Sequence, residues 1–216
     1  MAIVASAEAG LRAAPRATIV QLRAAELSAR ELEREAVRLV ASSPVPVLIS
    51  SRCDIALAAG AAGVNLPERD IGIEFARGLM RHGLVGRSVH SIAAAQRAEI
   101  EGADFVIFGP VWRSESHPNV EPVGVEALSR VAAALRIPVL AIGGVTEERI
   151  ASVHGAGDLS RVLAQRIVGG DDEKVGELGG GAAHPWAVVV GARGGAENGD
   201  EPTPRERSQL RQRARE

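Results

Sequence analysis

Residues 137–144 read Ile-Pro-Val-Leu-Ala-Ile-Gly-Gly, and residues 104–110 read Asp-Phe-Val-Ile-Phe-Gly-Pro. Each is an almost continuous apolar run that ends at glycine, which is typical of a strand buried on both faces of a parallel sheet. Comparable runs occur earlier in the chain, at 2–5, 18–22, 45–49, 63–66 and 85–89. We therefore predict a series of parallel strands, of which the first is short.

The segments between these runs carry helix signals. Ser28 precedes Glu31 at the spacing of a capping box, and an apolar stripe follows them. Ser91 and Thr146 are predicted to cap two further helices, each starting at the next residue, and residues 125–135 are rich in alanine and leucine. Strands and helices alternating at intervals of about 20–25 residues predict βα units. Such units either close into a barrel or form an open doubly wound sheet, and the spacing alone does not decide between them.

Composition excludes several classes of function. The 216 residues include 46 % apolar but only 2 % aromatic residues, and the net charge is −2, so we expect no nucleic-acid partner. A single cysteine, Cys53, excludes an intrachain disulfide and a cysteine-based zinc site. No apolar run approaches the ~18 residues of a membrane helix, and no basic residue precedes Arg12 as in a signal peptide. We therefore expect a cytoplasmic protein with no membrane partner.

The composition changes near residue 170. Beyond it lie acidic, glycine-rich and arginine-rich stretches with little to bury, apart from one apolar island at 187–190. We predict a folded domain over residues 1–170 and a mostly disordered tail over residues 171–216.

Two segments could bind anionic groups at the ends of their strands. Gly143 and Gly144 follow a buried strand and precede a predicted helix, so free backbone N–H groups there could bind phosphate, although a tight turn alone would also explain the pair. Gln21 lies near the end of the 18–22 run and Arg23 directly follows it. Because side chains alternate along a strand, these two residues lie on the same face. Arg23 could hold a phosphate or carboxylate, or could simply be a surface arginine.

Other polar residues follow the middle strands. Ser88 and His90 share a face at the end of the 85–89 run, and His90 is a candidate acid or base as well as a candidate structural histidine. Asp70 follows the 63–66 run and could bind a divalent cation or cap a helix. A polar loop after Gly-Pro contains a second candidate histidine, His117, with Ser114 and Ser116 as further candidate binding residues.

Taken in order, these segments resemble the thiamine phosphate synthase/TenI superfamily. The resemblance covers about residues 18–150, over six runs: Val-Gln-Leu-Arg at 20–23, Ile-Ser-Ser-Arg-Cys-Asp-Ile-Ala-Leu at 49–57, Gly-Val-Asn-Leu-Pro at 63–67, Gly-Arg-Ser-Val-His-Ser at 86–91, Ala-Asp-Phe-Val-Ile-Phe-Gly-Pro-Val at 103–111 and Ala-Ile-Gly-Gly at 141–144. It implies an α/β fold of the TIM (β/α)₈ type, incomplete at the first and last strands. The closing strand and phosphate cup of the family have no clear match after residue 154.

The resemblance implies two activities on a thiazole phosphate. A synthase expels pyrophosphate from an aminopyrimidine, with Mg²⁺ and basic residues neutralising the leaving group. Gln21, Arg23 and Asp70 match that site, but Ala25 replaces a lysine, Ser50-Ser51 replaces Asn-Asp, and the Thr-x-Thr-Lys loop ends in His117. These departures make the synthase our alternative rather than our main interpretation.

The runs at 63–67 and 86–91 are closer to the TenI-type thiazole tautomerases, which need no cofactor, and tautomerisation is our favoured activity. The histidine that follows Phe-Gly in that family is Pro110 here, so His90 or His117 would have to act instead. A paralogue that binds the ligand without turning it over is a third hypothesis. Association into homo-oligomers is left open.

Overall fold

Seven parallel strands form the centre of the molecule. The computed structural model of the chain describes residues 1–113, 119–155, 162–164 and 166–167. Within residues 1–155 each strand pairs in parallel with the next one along the chain. The strands are β1 Ala2–Val4, β2 Val20–Leu22, β3 Val47–Ser50, β4 Gly63–Leu66, β5 Leu84–Val89, β6 Phe105–Phe108 and β7 Val139–Ala141. The predicted strands are therefore confirmed, most of them slightly shorter than their apolar runs.

Helices cover the outside of this sheet. The α-helices of the described residues are α1 Ala7–Ala13, α2 Ala29–Ser42, α3 Cys53–Ala59, α4 Ile73–Met80, α5 Ile92–Ile100, α6 Gly124–Ala134 and α7 Ile150–Gly155. The capping box at the start of α2 is confirmed, because Ser28 Oγ accepts from Glu31 N–H and the Glu31 carboxylate accepts from Ser28 N–H. Ser91 likewise caps α5 by accepting from the N–H of Ala94 (3.1 Å).

The predicted helix after Thr146 is present, but its first turn is a 3₁₀ turn rather than α-helix. Glu147–Arg149 forms a 3₁₀ turn, in which Arg149 N–H donates to Thr146 O (3.0 Å), and α7 begins only at Ile150. The Arg149 guanidinium also donates to the carbonyl oxygen of Gly144 (2.7 Å). This bond ties the 3₁₀ turn to the preceding glycines.

The strands bury both faces. Successive side chains alternate between the inside of the curled sheet and the layer under the helices. The inner side chains form one apolar cluster, made of Ile19, Leu48, Phe105, Ile107 and Leu140. The outer side chains, such as Val64 and Val106, pack with helix residues in a larger cluster. This arrangement explains why the strands read as continuous apolar runs.

The two edges of the sheet are joined by the last described residues. The short strand β8, Val162–Ala164, pairs in parallel with β7, and β9, Arg166–Ile167, pairs in parallel with β1. Two segments thus fill the position that one strand fills in a regular barrel. The fold is a TIM-type barrel with short first and incomplete last strands, as predicted. The predicted tail, 171–216, lies outside the described residues.

No helix in the described part of the chain is long and apolar enough to span a bilayer.

Gly86 gives a test of the packing inside the barrel. A Cβ on Gly86 would lie 2.1 Å from Cζ of Phe105, whereas a Cβ on Gly78, exposed in α4, would meet nothing within 4 Å. We expect Gly86→Ala to lower the free energy of unfolding by about 1–3 kcal/mol through overpacking. Gly78→Ala should raise it by about 0.5–1 kcal/mol through helix propensity. Urea denaturation of both variants measures this, and equal effects would contradict the packing described.

Candidate functional site

The carboxyl ends of the strands carry the polar residues singled out above. Because all seven strands are parallel, residues that follow them lie on one rim of the barrel, which we call the mouth. Gln21 and Arg23 come from β2, Ser88 and His90 from β5, and Gly143 follows β7. The glycine pair therefore lies on the same rim as Arg23 and Ser88.

Below the mouth lies a layer of buried polar side chains. Gln21 is 1 % exposed and Asn65, in β4, is 3 % exposed. Asn65 Nδ2 donates to Ser88 Oγ (3.0 Å), and the amide oxygens of Gln21 and Asn65 have no hydrogen-bond partner within the described residues. A buried oxygen without a partner costs free energy unless a ligand or water satisfies it. We therefore call Gln21, Asn65 and Ser88 the polar floor of the site.

Sequence reasoning missed Asn65. The only signal was one amide residue inside the otherwise apolar run 63–66. An asparagine in a strand buried on both faces needs a hydrogen-bonding reason, and here the reason is the hydroxyl of the neighbouring strand. Arg23, in contrast, lies just beyond the end of β2 and is exposed. Its backbone N–H donates to the carbonyl oxygen of Val4 (2.8 Å).

Gly143 and Gly144 must both be glycine for backbone reasons. Their φ angles are +89° and +62°, and a Cβ on Gly143 would lie 2.4 Å from Pro110. Trp112 N–H donates to the Gly143 carbonyl oxygen (3.0 Å), so the loop after β6 packs against them. The tight-turn explanation is thus satisfied, and the anion-binding explanation remains a prediction. Arg149 adds a positive charge beside this turn, 5.2 Å above the ring of Trp112.

His90 is held at the mouth by both its backbone and its ring. Its N–H donates to Glu68 Oε2 (2.9 Å), and its Nδ1 lies 2.5 Å from the Gly109 carbonyl oxygen. A carbonyl oxygen only accepts, so Nδ1 carries the hydrogen of this bond. Its Nε2 lies 4.0 Å from Glu68 Oε2, and the side chain is 60 % exposed. The ring is therefore oriented and accessible, as an acid or base requires.

The loop 67–71 carries Asp70 and is unusually well anchored. The Asp70 carboxylate accepts from the Ser51 hydroxyl and from the N–H of Ile71. Ser51 has a φ of +69°, and non-glycine residues in this conformation cluster at functional sites. Arg87, only 5 % exposed, donates to the carbonyl oxygens of Pro67 and Ile71, both at 2.6 Å. Burial lowers the pKa of Arg87, and the nearby carboxylates of Glu101, Asp70 and Glu68 oppose that change.

The donor set for a metal is sparse. No group of three or more histidine, cysteine or carboxylate residues comes together in the part of the chain that the structure describes. Asp70 remains the candidate ligand, with the Ser51 hydroxyl beside it. The thiol of Cys53 is buried, and burial raises its pKa, so it is a poor ligand or nucleophile.

The loop after β6 contains the remaining candidates. Ser114, Ser116 and His117 lie outside the described residues, so their predicted roles stay predictions.

Comparison with known proteins identifies the family. The family described as thiamine monophosphate synthase matches residues 2–162. A thiamine-phosphate synthase of Methanoculleus marisnigri is 37 % identical over 169 residues, which are 76 % of this chain and 80 % of that protein. A putative thiamine-phosphate synthase of Geobacter sulfurreducens is 40 % identical over 72 % of this chain and 75 % of its own.

The solved structures agree. Thiamine phosphate pyrophosphorylase from Pyrococcus furiosus superposes with a TM-score of 0.68 at 27 % identity, covering 77 % of this chain and 83 % of its own. A 3-hexulose-6-phosphate synthase, at 20 % identity and a TM-score of 0.59 over 78 % of this chain and 89 % of its own, shares the fold alone. The chain, with its polar floor at the mouth of a parallel barrel, belongs to the thiamine monophosphate synthase family.

Proposed function

We propose that this protein is a thiamine-phosphate synthase, joining a hydroxymethylpyrimidine pyrophosphate to a thiazole phosphate at the mouth of the barrel. The curated relatives carry synthase names, which favours this activity over the tautomerase that the sequence alone favoured. The observation that carries the proposal is the polar floor, where two buried amide oxygens lack partners within the described residues.

The floor matches the chemistry of an aminopyrimidine. Gln21 and Asn65 offer acceptors, and the amino group of the pyrimidine offers N–H donors that a thiazole phosphate lacks. Ser88 Oγ accepts from Asn65, so its own hydrogen is available to a ring nitrogen. Apolar side chains of the barrel interior adjoin the floor, since Ile107 is the cross-strand partner of Ser88, and an aromatic ring would pack against them.

The rim supplies groups for the anionic parts of the substrates. Arg23 and Arg149 are positive charges at the mouth, and the turn at Gly143-Gly144 brings backbone close to it. In the reaction, the C–O bond to pyrophosphate breaks, the pyrophosphate leaves with the electron pair, and the thiazole nitrogen forms the new C–N bond. Positive groups at the rim lower the energy of the departing pyrophosphate.

Mg²⁺ fits this site as an ion shared between protein and substrate. One or two carboxylates together with substrate phosphates are a usual Mg²⁺ environment, and Asp70 supplies one carboxylate. When bound, the ion would neutralise negative charge on the leaving group. The chain's own contribution is to hold Asp70 in place, through the Ser51 hydroxyl and the anchored loop 67–71.

A thiazole tautomerase is the second candidate, and His90 favours it. Its ring is oriented by Gly109 and its second nitrogen faces Glu68, so it could accept and return a proton at Nε2. This reaction needs one positioned acid or base and no metal. A protein that binds ligand without turnover is the third outcome.

A direct assay decides among these activities. We expect purified protein to release pyrophosphate from the two synthase substrates only when Mg²⁺ is present. Asp70→Asn should lower the rate at least about tenfold, because it removes the carboxylate beside the ion. Ser51→Asp should lower the Mg²⁺ concentration needed, since it restores a second carboxylate and aspartate tolerates a positive φ. No pyrophosphate release by the wild type would reject the synthase.

The tautomerase is tested with a thiazole phosphate carboxylate alone. Turnover without metal, seen as a change in thiazole absorbance, would support it. His90→Asn should then abolish turnover, because asparagine keeps a hydrogen bond to Gly109 but cannot exchange the proton. Unchanged turnover in this variant would retire His90 as the base. Thermal stabilisation by ligand with neither activity would identify a silent binder.

The polar floor predicts that one substitution has opposite effects on stability and on ligand binding. Gln21→Leu removes a buried oxygen without a described partner, so we expect the ligand-free protein to gain about 1 kcal/mol in free energy of unfolding. The same change should weaken binding of the hydroxymethylpyrimidine by about tenfold or more.

Thr18→Val is the matched control. The Thr18 hydroxyl also lacks a described partner, but it precedes β2 at the opposite end of the barrel from the mouth. This variant should gain similar stability and bind the pyrimidine like the wild type. Urea denaturation and calorimetric titration measure the two quantities. Equal loss of binding in both variants would count against the floor as the pyrimidine site.

A further inference from the structure

The least expected charge in the described part of the chain is the guanidinium of Arg87. It lies in β5 with Val85 and Val89 on the outer face, between sheet and helices, and is only 5 % exposed. It forms no ion pair with a carboxylate of the described residues. Burying a charge without a partner ion is costly, and a methionine or leucine would fill the same space without that cost. Packing alone therefore does not explain the presence of an arginine at this position.

Its hydrogen bonds show what it does. Nη1 donates to the carbonyl oxygen of Pro67 and Nη2 to that of Ile71, each at 2.6 Å. These two carbonyls lie within the connection between β4 and α4, at the two ends of loop 67–71. The planar fork of one arginine thus binds both ends of this loop, which a lysine with one ammonium group reproduces poorly.

The loop delivers two groups to the mouth. Glu68 accepts from the N–H of His90, and Asp70 accepts from the Ser51 hydroxyl. A turn bond from Asp70 N–H to Pro67 O (3.1 Å) lies directly on the carbonyl that Arg87 binds. Movement of either carbonyl would therefore displace both carboxylates relative to their partners.

We propose that Arg87 is a positioning residue, which fixes loop 67–71 from beneath and thereby holds Glu68 and Asp70 at the mouth. Arg87 lies on the outer face of the sheet and does not meet substrate. Its effect on turnover rests on the proposed function, whereas its effect on the loop does not. Misplacement of a site group by about 1 Å can lower a rate about 100-fold, so a positioning contact of this kind matters to activity.

Arg77 provides a control within the same barrel. It also donates to two backbone carbonyls, those of Gly83 and Gly102, and it pairs with Asp104. These groups precede β5 and β6, at the end of the barrel opposite the mouth. Arg77, in α4, therefore also bonds to backbone carbonyls through its guanidinium, but none of its partners belongs to loop 67–71.

The experiment compares Arg87→Met, Arg87→Lys and Arg77→Met in the full chain. Amide hydrogen exchange by NMR is read at Asp70, Ile71 and His90, whose N–H groups bond within or to the loop. In Arg87→Met we expect exchange at these amides to accelerate about tenfold or more, with the overall stability retained or raised. Arg87→Lys should fall between it and the wild type, and it gives the answer if the methionine variant does not fold. Arg77→Met should lose overall stability without selective acceleration at these amides.

Turnover is measured on the same proteins. We expect Arg87→Met to lower kcat/KM about 10–100-fold, and Arg77→Met to leave turnover per folded molecule unchanged. Normal exchange in the loop of Arg87→Met would overturn the proposal, as would a variant that loses stability but keeps full turnover. If the wild type has no synthase or tautomerase turnover, the proposed function fails and the exchange measurement alone decides the role of Arg87.

Discussion

Burial of both faces of seven parallel strands is the constraint on which the rest of this structure depends. The inner cluster around Phe105 and Ile107 and the outer cluster under the helices leave no solvent-facing side on the sheet. Polar side chains are therefore pushed to the strand ends, where the chain leaves the apolar interior. Because all strands run the same way, these ends form one rim.

A few polar groups do lie inside the apolar layers, and they differ in whether the protein supplies their hydrogen-bond partners. Arg87 satisfies its guanidinium with backbone carbonyls of the loop that carries Asp70. Gln21 and Asn65 keep oxygens without partners among the described residues, and buried oxygens of this kind favour a ligand or water that donates hydrogen bonds. Under the proposed function, the ligand would supply those donors.

The mouth differs in charge from the synthase pattern that the sequence resembles. Ser51 stands where the resemblance implies a carboxylate, and Ala25 and His117 stand where it implies lysines, so one negative and two positive charges of that pattern are missing. The remaining carboxylate, Asp70, is held by a hydroxyl instead of facing a second carboxylate. The ion that such a site binds would depend more on the phosphates of the substrate than on the protein.

Local patterns were sufficient for most of the secondary structure. The apolar runs, the capping box at Ser28 and the cap at Ser91 are short-range features, and each is present where it was predicted. The helix after Thr146 is also present, but its first turn is 3₁₀; Arg149 in that turn bonds to the carbonyl of Gly144 and lies over the ring of Trp112, a contact that local patterns do not indicate. The polar candidate residues at strand ends were also identified from the sequence, since the alternation of side chains along a strand is a local property.

The sequence by itself determined that buried parallel strands would end in polar residues, because two-sided burial leaves a direct mark on composition. Only the tertiary structure decided which of those residues meet. Asn65 reaches Ser88 across 23 positions of sequence, and Arg87 reaches Pro67 across 20. Such pairs depend on the register between neighbouring strands and on the path of one loop. Neither can be predicted from the spacing of residues within a single segment.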